Sequence, residues 1–146
     1  RYFTVYGAAG RPDMVPFRLV QWISEGRPVT VFGDGSQSRD FTYVDDIARG
    51  TIAGLRPLGY EVINLGSDAP VKLADLIALV EAEVGRKAVL VYRPRHPADV
   101  TATWADIGKA ARLLAWRPRV TLPDGVAALA DWYRRERAWA KDVNTA

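Results

Sequence analysis

Apolar residues recur with helical spacing in two long segments of the chain. The most regular spacing, i, i+3, i+4, i+7 and i+11, is formed by Leu73, Leu76, Ile77, Val80 and Val84. It predicts a helix over residues 73–84, with Gly85 as its C-cap. Leu19 and Ile23 lie one turn apart and predict a second helix over residues 14–25, with Gly26 as its stop.

Three further helices are predicted from shorter patterns and end signals. One begins at Val44, and its first turn holds two acids that the helix dipole favours. A short one follows Asp106 and ends near Trp116. The last begins at Thr121, which has the capping-box spacing to Asp124. Its inner face is expected to hold Val126, Leu129, Ala130 and Tyr133.

Four segments rich in β-branched and aromatic residues predict strands, at residues 1–6, 28–32, 61–65 and 88–92. The strands alternate with the predicted helices, which is typical of an α/β fold. A length of 146 residues fits a single domain with its own hydrophobic core.

Composition narrows the functional classes. The chain has no cysteine, which excludes disulfides, a thiolate nucleophile and a cysteine metal site. The net charge of +3 comes from scattered basic residues, so we expect an anionic small-molecule ligand rather than nucleic acid. No apolar run is long enough to cross a bilayer, so we expect no membrane association and a cytoplasmic location.

Arg39 is the main candidate for ligand chemistry. It follows a glycine-rich turn, and the planar guanidinium of arginine binds phosphate through paired hydrogen bonds. The alternative is a surface arginine that pairs with Asp40 or Asp45. The residues alone leave both interpretations open.

Other polar groups are weaker candidates. Asp45 and Asp46 are adjacent on a helix and point about 100° apart, so they are interpreted as helix-start charges rather than a catalytic pair. His96 is the only histidine, which is weak evidence for a metal site. The glycines at residues 7–10 lack the dinucleotide-binding spacing, and no tyrosine is followed four residues later by lysine.

Several segments, taken in order, resemble one family. They are RYFTVYG at residues 1–7, GRPDM at 10–14, VFGDG at 31–35, SRDFTYVDDI at 38–47, INLG at 63–66, Asp99-Val100, WAD at 104–106, Lys109-Ala110 and Trp116. They look like the C-terminal half of the NAD-dependent epimerase/dehydratases, extended short-chain dehydrogenase/reductases that act on nucleotide sugars. TVYG followed by GRPDM looks most like the UDP-glucuronate 4-epimerases.

The resemblance implies a set of contacts to the nucleotide part of a UDP-sugar. Arg39 matches the arginine that contacts the diphosphate, and Asp99 matches the acid that holds the ribose. Val31 and Phe32 match the segment along which uracil lies. Val71 matches an apolar position in the nucleotide pocket, although packing alone also explains a valine there.

Three further residues are implied on the sugar and cofactor side. Phe3 matches the aromatic position beside the nicotinamide of NAD, and Thr4 matches a polar position near the sugar. Arg11 is our candidate for binding a hexuronate carboxylate, with an ion pair to Asp13 as its alternative. His96 departs from the family, which often has arginine or glutamine there.

The family's NAD-binding Rossmann half and its Tyr-x-x-x-Lys pair are expected before the point that matches Arg1. The resemblance therefore implies an extended Rossmann-type fold without its N-terminal half. It implies the UDP-sugar-binding part of a 4-epimerase, inactive alone. A related decarboxylase or dehydratase and a non-catalytic binding module are the alternatives. Strands at residues 1–6 and 61–65 would expose apolar edges, so we expect self-association or pairing with the missing half.

Overall fold

A computed structural model describes residues 1–95, 97 and 99–145 of the chain. In chain order, the elements of these residues are β1 (Val5–Tyr6), α1 (Val15–Glu25), β2 (Pro28–Phe32), β3 (Ser38–Arg39), β4 (Thr42–Tyr43), α2 (Val44–Ala53), β5 (Val71–Lys72), α3 (Leu73–Val84), β6 (Val89–Arg93), α4 (Gly108–Leu114) and α5 (Leu122–Ala140). The α/β class predicted from the sequence is confirmed.

The strands form three separate pairs in the described part of the chain. β1 pairs with β4 and β2 with β6, both in parallel, whereas β3 and β5 are antiparallel. A single parallel bridge between Tyr2 and Leu65 extends the first pair toward the N-terminus. Parallel pairs joined through helices are the building unit of α/β sheets.

The predicted helices are present with small shifts at their ends. α3 spans residues 73–84 as predicted, and α1 begins one residue late because Met14 serves as its N-cap. The side chain of Thr121 accepts a hydrogen bond from the Asp124 amide at 3.3 Å, so it caps α5 as expected. α4 is confined to residues 108–114, and the Asp106 carboxylate accepts from the Gly108 amide at its start.

The predicted strands at residues 1–6 and 61–65 are shorter in the structure. Only Val5 and Tyr6 of the first segment form a strand, and the second contributes only the bridge at Leu65. A strand ladder needs a partner on at least one side, and the described residues offer these segments only each other and β4.

Two hydrophobic cores hold the elements together. In the first, α1, α3 and α5 pack around β2, and residues such as Ile23, Leu76 and Leu129 are almost fully buried. In the second, α2 and α4 pack around Leu65 and Trp116. The indole of Trp116 donates to the carbonyl of Asp46 at 2.9 Å, which ties the chain after α4 to the start of α2.

The carboxylate of Asp40 joins three distant segments. It is fully buried and accepts from the backbone amides of Ser67 at 2.6 Å, Asp68 at 3.1 Å and Ala105 at 3.0 Å, and from the hydroxyl of Thr42 at 3.3 Å. Gly66 fits beside it because any Cβ there would lie 2.2 Å from the Cβ of Ala105. These bonds fix the chain directly after Arg39.

Large apolar side chains remain exposed on part of the surface. Tyr2 and Val62 lie in the two segments joined by the bridge between Tyr2 and Leu65. Ile52 lies on α2, and Leu55 and Tyr60 lie in the chain after it. We call these five residues the apolar face. The described helices include none that is long and apolar enough to span a membrane.

Replacing Asp40 tests its role in the fold. In Asp40→Ala, three backbone amides lose their acceptor, one of them buried and two partly buried, and an unsatisfied buried amide costs about 1–3 kcal/mol. We therefore expect the free energy of unfolding, measured by urea titration, to fall by about 3–5 kcal/mol. Asp45→Ala is the matched control, because Asp45 is exposed on the first turn of α2. Its loss should cost under about 1 kcal/mol, and equal losses for both variants would contradict the assignment.

Glu25 makes the stability of the α1–α5 contact depend on pH. Its carboxylate accepts from Arg137 at 2.8 and 2.9 Å and from the hydroxyl of Tyr133 at 2.9 Å. The hydrogen bonds from Arg137 lower the pKa of Glu25 to about 2, from an ordinary value of 4.5. A carboxylate with a lowered pKa stabilises the fold above its unfolded value and loses that effect as the pH falls.

Wild type should therefore lose part of its stability between about pH 4.5 and pH 2, and Glu25→Gln should lack that part of the loss. Urea titrations of both proteins at pH 7 and pH 2 measure the difference. We expect Glu25→Gln to be less stable than wild type at pH 7 and the two to converge at pH 2. A constant difference would contradict this account.

Candidate functional site

A cavity of about 200 Å³ opens between α1, β2, β3 and the start of α3. Its walls are largely apolar and its polar groups are few, as is common in small-molecule sites. The apolar lining consists of Val15, Leu19, Trp22, Val29, Val31, Phe32, Phe41, Val71, Leu73 and Ile77. The polar lining consists of Arg18, Thr30, Gln37, Arg39 and Asp99.

Arg39 and Asp99 form an ion pair at this cavity. Nη2 of Arg39 donates to Oδ1 of Asp99 at 2.8 Å, and Nη1 donates to the carbonyl of Ser38 at 2.8 Å. The side chains are 23% and 33% exposed, so both are partly shielded but still reachable from the cavity. An arginine whose ion pair faces a cavity can exchange its partner for a ligand anion at little cost in structure.

The surface interpretation of Arg39 named Asp40 or Asp45 as its partner, and neither is. Asp40 uses its carboxylate within the buried network described above. Asp45 lies exposed at the start of α2. The observed partner lies 60 residues away in sequence, where no local pattern indicates it.

Strand pairing explains how separated residues meet at the cavity. The antiparallel register sets Arg39 of β3 opposite Val71 of β5. β2 brings Val31 and Phe32, of which Val31 is 1% exposed and Phe32 49% exposed. The turn between β2 and β3 is held by Gln37, which donates to the Phe32 carbonyl at 2.9 Å.

The chain that carries Asp99 is fastened to β3 by backbone hydrogen bonds. The Ser38 amide donates to the Thr101 carbonyl at 3.0 Å, and the Thr103 amide donates to the Ser38 carbonyl at 3.2 Å. Nη2 of Arg95 donates to the Asp99 carbonyl at 2.8 Å and to the Thr101 hydroxyl at 3.1 Å. The sequence did not predict these contacts of Arg95, because they depend on how the chain from Arg95 to Thr101 folds back on itself.

The structure does not bring the sugar-side and cofactor-side candidates into this cavity. Phe3 is partly buried against the second core. The backbone carbonyl of Thr4 accepts from the Thr42 amide at 3.1 Å, and its side chain does not line the cavity. Arg11 lies exposed and forms a forked ion pair with Asp13, in which Nε donates to Oδ1 at 3.0 Å.

The remaining polar candidates have structural surroundings. Asp46 is buried and accepts from the amides of Arg119 and Val120, both at 2.9 Å, and from Arg49. It is thus a structural anchor as well as a helix-start charge. His96 lies outside the described residues. Within the described residues, no group of three acidic or histidine side chains could hold a metal ion.

Comparisons with known proteins agree with the sequence motifs. Residues 1–66 match the NAD dependent epimerase/dehydratase family. The chain is 51% identical over 144 residues to a UDP-glucuronate 4-epimerase of Thermodesulfobacterium geofontis (strain OPF15), covering 98% of this chain and 45% of that protein. The chain is similar to members of the NAD-dependent epimerase/dehydratase family.

Solved members of the family share the fold. The UDP-glucuronic acid 4-epimerase from Bacillus cereus, in complex with UDP-glucuronic acid and NAD, is 43% identical with a TM-score of 0.87. That comparison covers 93% of this chain and 44% of the other. MoeE5 in complex with UDP-glucose and NAD is 34% identical with a TM-score of 0.90, covering 94% and 46%. The chain thus spans about half the length of these relatives.

NAD is bound in both of those relatives, whereas this chain supplies little of a site for it. The glycines at residues 7–10 lack the phosphate-binding spacing. Phe3, the one candidate for the nicotinamide side, packs against the second core. The residues present do not by themselves fit the cofactor.

The Arg39–Asp99 pair should contribute little to stability, which makes it a clean target for binding experiments. A partly exposed ion pair is worth about 0.2–1 kcal/mol. We expect a double-mutant cycle of Arg39→Ala and Asp99→Ala, measured by urea denaturation, to give a coupling energy in that range. A coupling above about 2 kcal/mol would show that the pair is a structural element of the fold.

Proposed function

We propose that this chain is the nucleotide-sugar-binding part of an NAD-dependent 4-epimerase that acts on a UDP-hexuronate or UDP-hexose. One observation carries the proposal. All five residues that the family resemblance assigns to the nucleotide line a single cavity, although they come from distant segments of the chain: Val31, Phe32, Arg39, Val71 and Asp99.

Each lining group suits one part of UDP. A flat uracil ring would lie along Val31 and Phe32, with Val71 completing the apolar surface. The carboxylate of Asp99 would accept hydrogen bonds from the ribose hydroxyls. Arg39 would leave Asp99 and donate to the diphosphate through its paired N–H groups.

The ion pair compensates both charges before the ligand arrives. Asp99 would gain neutral hydroxyl donors on binding, while Arg39 would gain an anion in place of the carboxylate. Arg39 and Asp99 would therefore both stay hydrogen-bonded with and without the ligand. This exchange avoids leaving a partly buried charge without a partner.

The hexuronate group would bind outside this cavity. Arg11 is exposed and already binds one carboxylate in a forked geometry, that of Asp13. A hexuronate carboxylate would replace Asp13, and Thr4 would contact the sugar. The relatives from Thermodesulfobacterium geofontis and Bacillus cereus, both named for UDP-glucuronate chemistry, support a hexuronate over a hexose.

The chain would bind and orient the substrate without completing the reaction. It contains no Tyr-x-x-x-Lys pair to take the proton of a sugar hydroxyl. Bound NAD supplies a hydride acceptor in epimerases of this type, and its site is not formed by these residues. We therefore propose that the isolated chain is inactive.

The apolar face would bind the half of the fold that the relatives have in addition. The N-terminal ammonium group donates to the Ile63 carbonyl at 2.8 Å, and the Tyr2 hydroxyl bonds to that of Thr51 at 2.9 Å. These bonds hold Tyr2 against α2 and the N-terminus against Ile63. Ile52 and Val62, the chain neighbours of Thr51 and Ile63, are exposed. The relatives carry more than half of their length outside the region matched here, which is enough chain to cover this face.

Calorimetry with UDP and UDP-glucuronate tests the binding proposal. We expect wild type to bind both, and Arg39→Ala to bind UDP about 10–100-fold more weakly, because charged hydrogen bonds are worth about 1.5–3 kcal/mol. Arg135→Ala is the matched control, since Arg135 is exposed on α5 and its loss changes the net charge equally. No binding by wild type at millimolar ligand would favour a non-catalytic module that keeps only the fold.

Mixing this chain with the other part of a relative tests whether the chain is inactive alone. The part of the Thermodesulfobacterium geofontis protein that this chain does not cover can be produced separately and mixed with it. We expect NAD-dependent epimerisation of UDP-glucuronate from the mixture and from neither half alone. Activity of the isolated chain would contradict the proposed inactivity. Stable dimers of the chain that exclude the other half, seen by ultracentrifugation, would instead assign the apolar face to self-association.

A further inference from the structure

Arg18 of α1 is a second cation at the cavity, and neither the sequence motifs nor the family resemblance selected it. Its Nε atom is buried and has no hydrogen-bond partner. It stands out because it is the only buried side-chain nitrogen or oxygen of the described residues in that condition. Buried donors without acceptors are rare in proteins and cost free energy.

Arg18 also forms no ion pair in the described part of the chain, although its charge interacts at longer range with Asp13. No carboxylate there lies within ion-pair distance of its guanidinium, in contrast to Arg39. The guanidinium instead lies over the ring of Trp22, with Cζ 5.5 Å from the ring centroid. The ring holds the guanidinium in place without supplying a hydrogen-bond acceptor.

Charge complementarity points to an anion as the missing acceptor. The cavity holds two cations, Arg18 and Arg39, and one carboxylate, Asp99. The carboxylate is already paired with Arg39, so the uncompensated charge of the cavity resides on Arg18. A partly desolvated guanidinium with a free buried N–H is best satisfied by a negatively charged oxygen.

We propose that Arg18 binds a phosphate oxygen of a nucleoside diphosphate in this cavity, as a second anion contact beside Arg39. The inference rests on the proposed function, because it assigns a ligand group to the same cavity. Under this proposal Arg18 contacts the phosphate, whereas the apolar walls of the cavity contact the base. Arg18 would act on the charge of the ligand and not on its uracil ring.

Two substitutions of Arg18 separate the effect of its charge and hydrogen bonds from the effect of its apolar packing. Arg18→Met keeps an unbranched apolar stem against Trp22 and removes the charge and the N–H groups, whereas Arg18→Lys keeps the charge and removes the fork. Arg135→Met serves as the control for net charge. Binding of UDP and of uridine to each protein is measured by NMR titration, with circular dichroism to confirm the fold.

We expect Arg18→Met to weaken UDP binding about 10-fold or more and to leave uridine binding unchanged, with Arg18→Lys intermediate for UDP. Unchanged UDP binding in Arg18→Met, or an equal loss for UDP and uridine, would overturn the inference. If Arg39→Ala abolishes UDP binding while Arg18→Met does not change it, this inference fails and the proposed function stands. If wild type binds no UDP, the proposed function fails and the inference fails with it.

Discussion

The buried carboxylate of Asp40 is the constraint on which the candidate site depends. It gathers amides from two distant loops onto the residue directly after Arg39. The Asp40 amide in turn donates to the Thr103 hydroxyl at 3.3 Å, which holds the chain beyond Asp99 against β3. Arg39 and Asp99 therefore meet because their backbones are fixed by a neighbour that does not itself line the cavity.

The sequence predicted the helices well because their signals are local. The apolar spacing of α3 and the glycine after it lie within a dozen residues of each other. The ordered motifs also predicted five residues that share one cavity. Asp40 was not recognised as a structural centre, since three of its four donors are backbone amides 27 to 65 residues away, which almost any residue type could supply. Arg18 was missed for a similar reason, because an orphaned donor is visible only in three dimensions.

The molecule presents a formed cavity and, separately, the exposed apolar face. The cavity lies against the first core and has fixed walls. Phe3 lies away from the cavity. It packs against the second core, next to the bridge between Tyr2 and Leu65. Under the proposed function, nucleotide binding needs only the cavity, whereas chemistry at the sugar needs groups that these residues do not supply. Binding and catalysis can therefore be separated experimentally in this chain.

A crystal structure of the chain with UDP would show whether the cavity binds the nucleotide through Arg39. The account predicts UDP in the cavity, with the diphosphate within hydrogen-bond distance of the Arg39 guanidinium and the uracil along Val31 and Phe32. It also predicts that the bond between Arg39 and Asp99, 2.8 Å in the free chain, is broken. UDP bound elsewhere, with that ion pair intact and the cavity empty, would contradict the account.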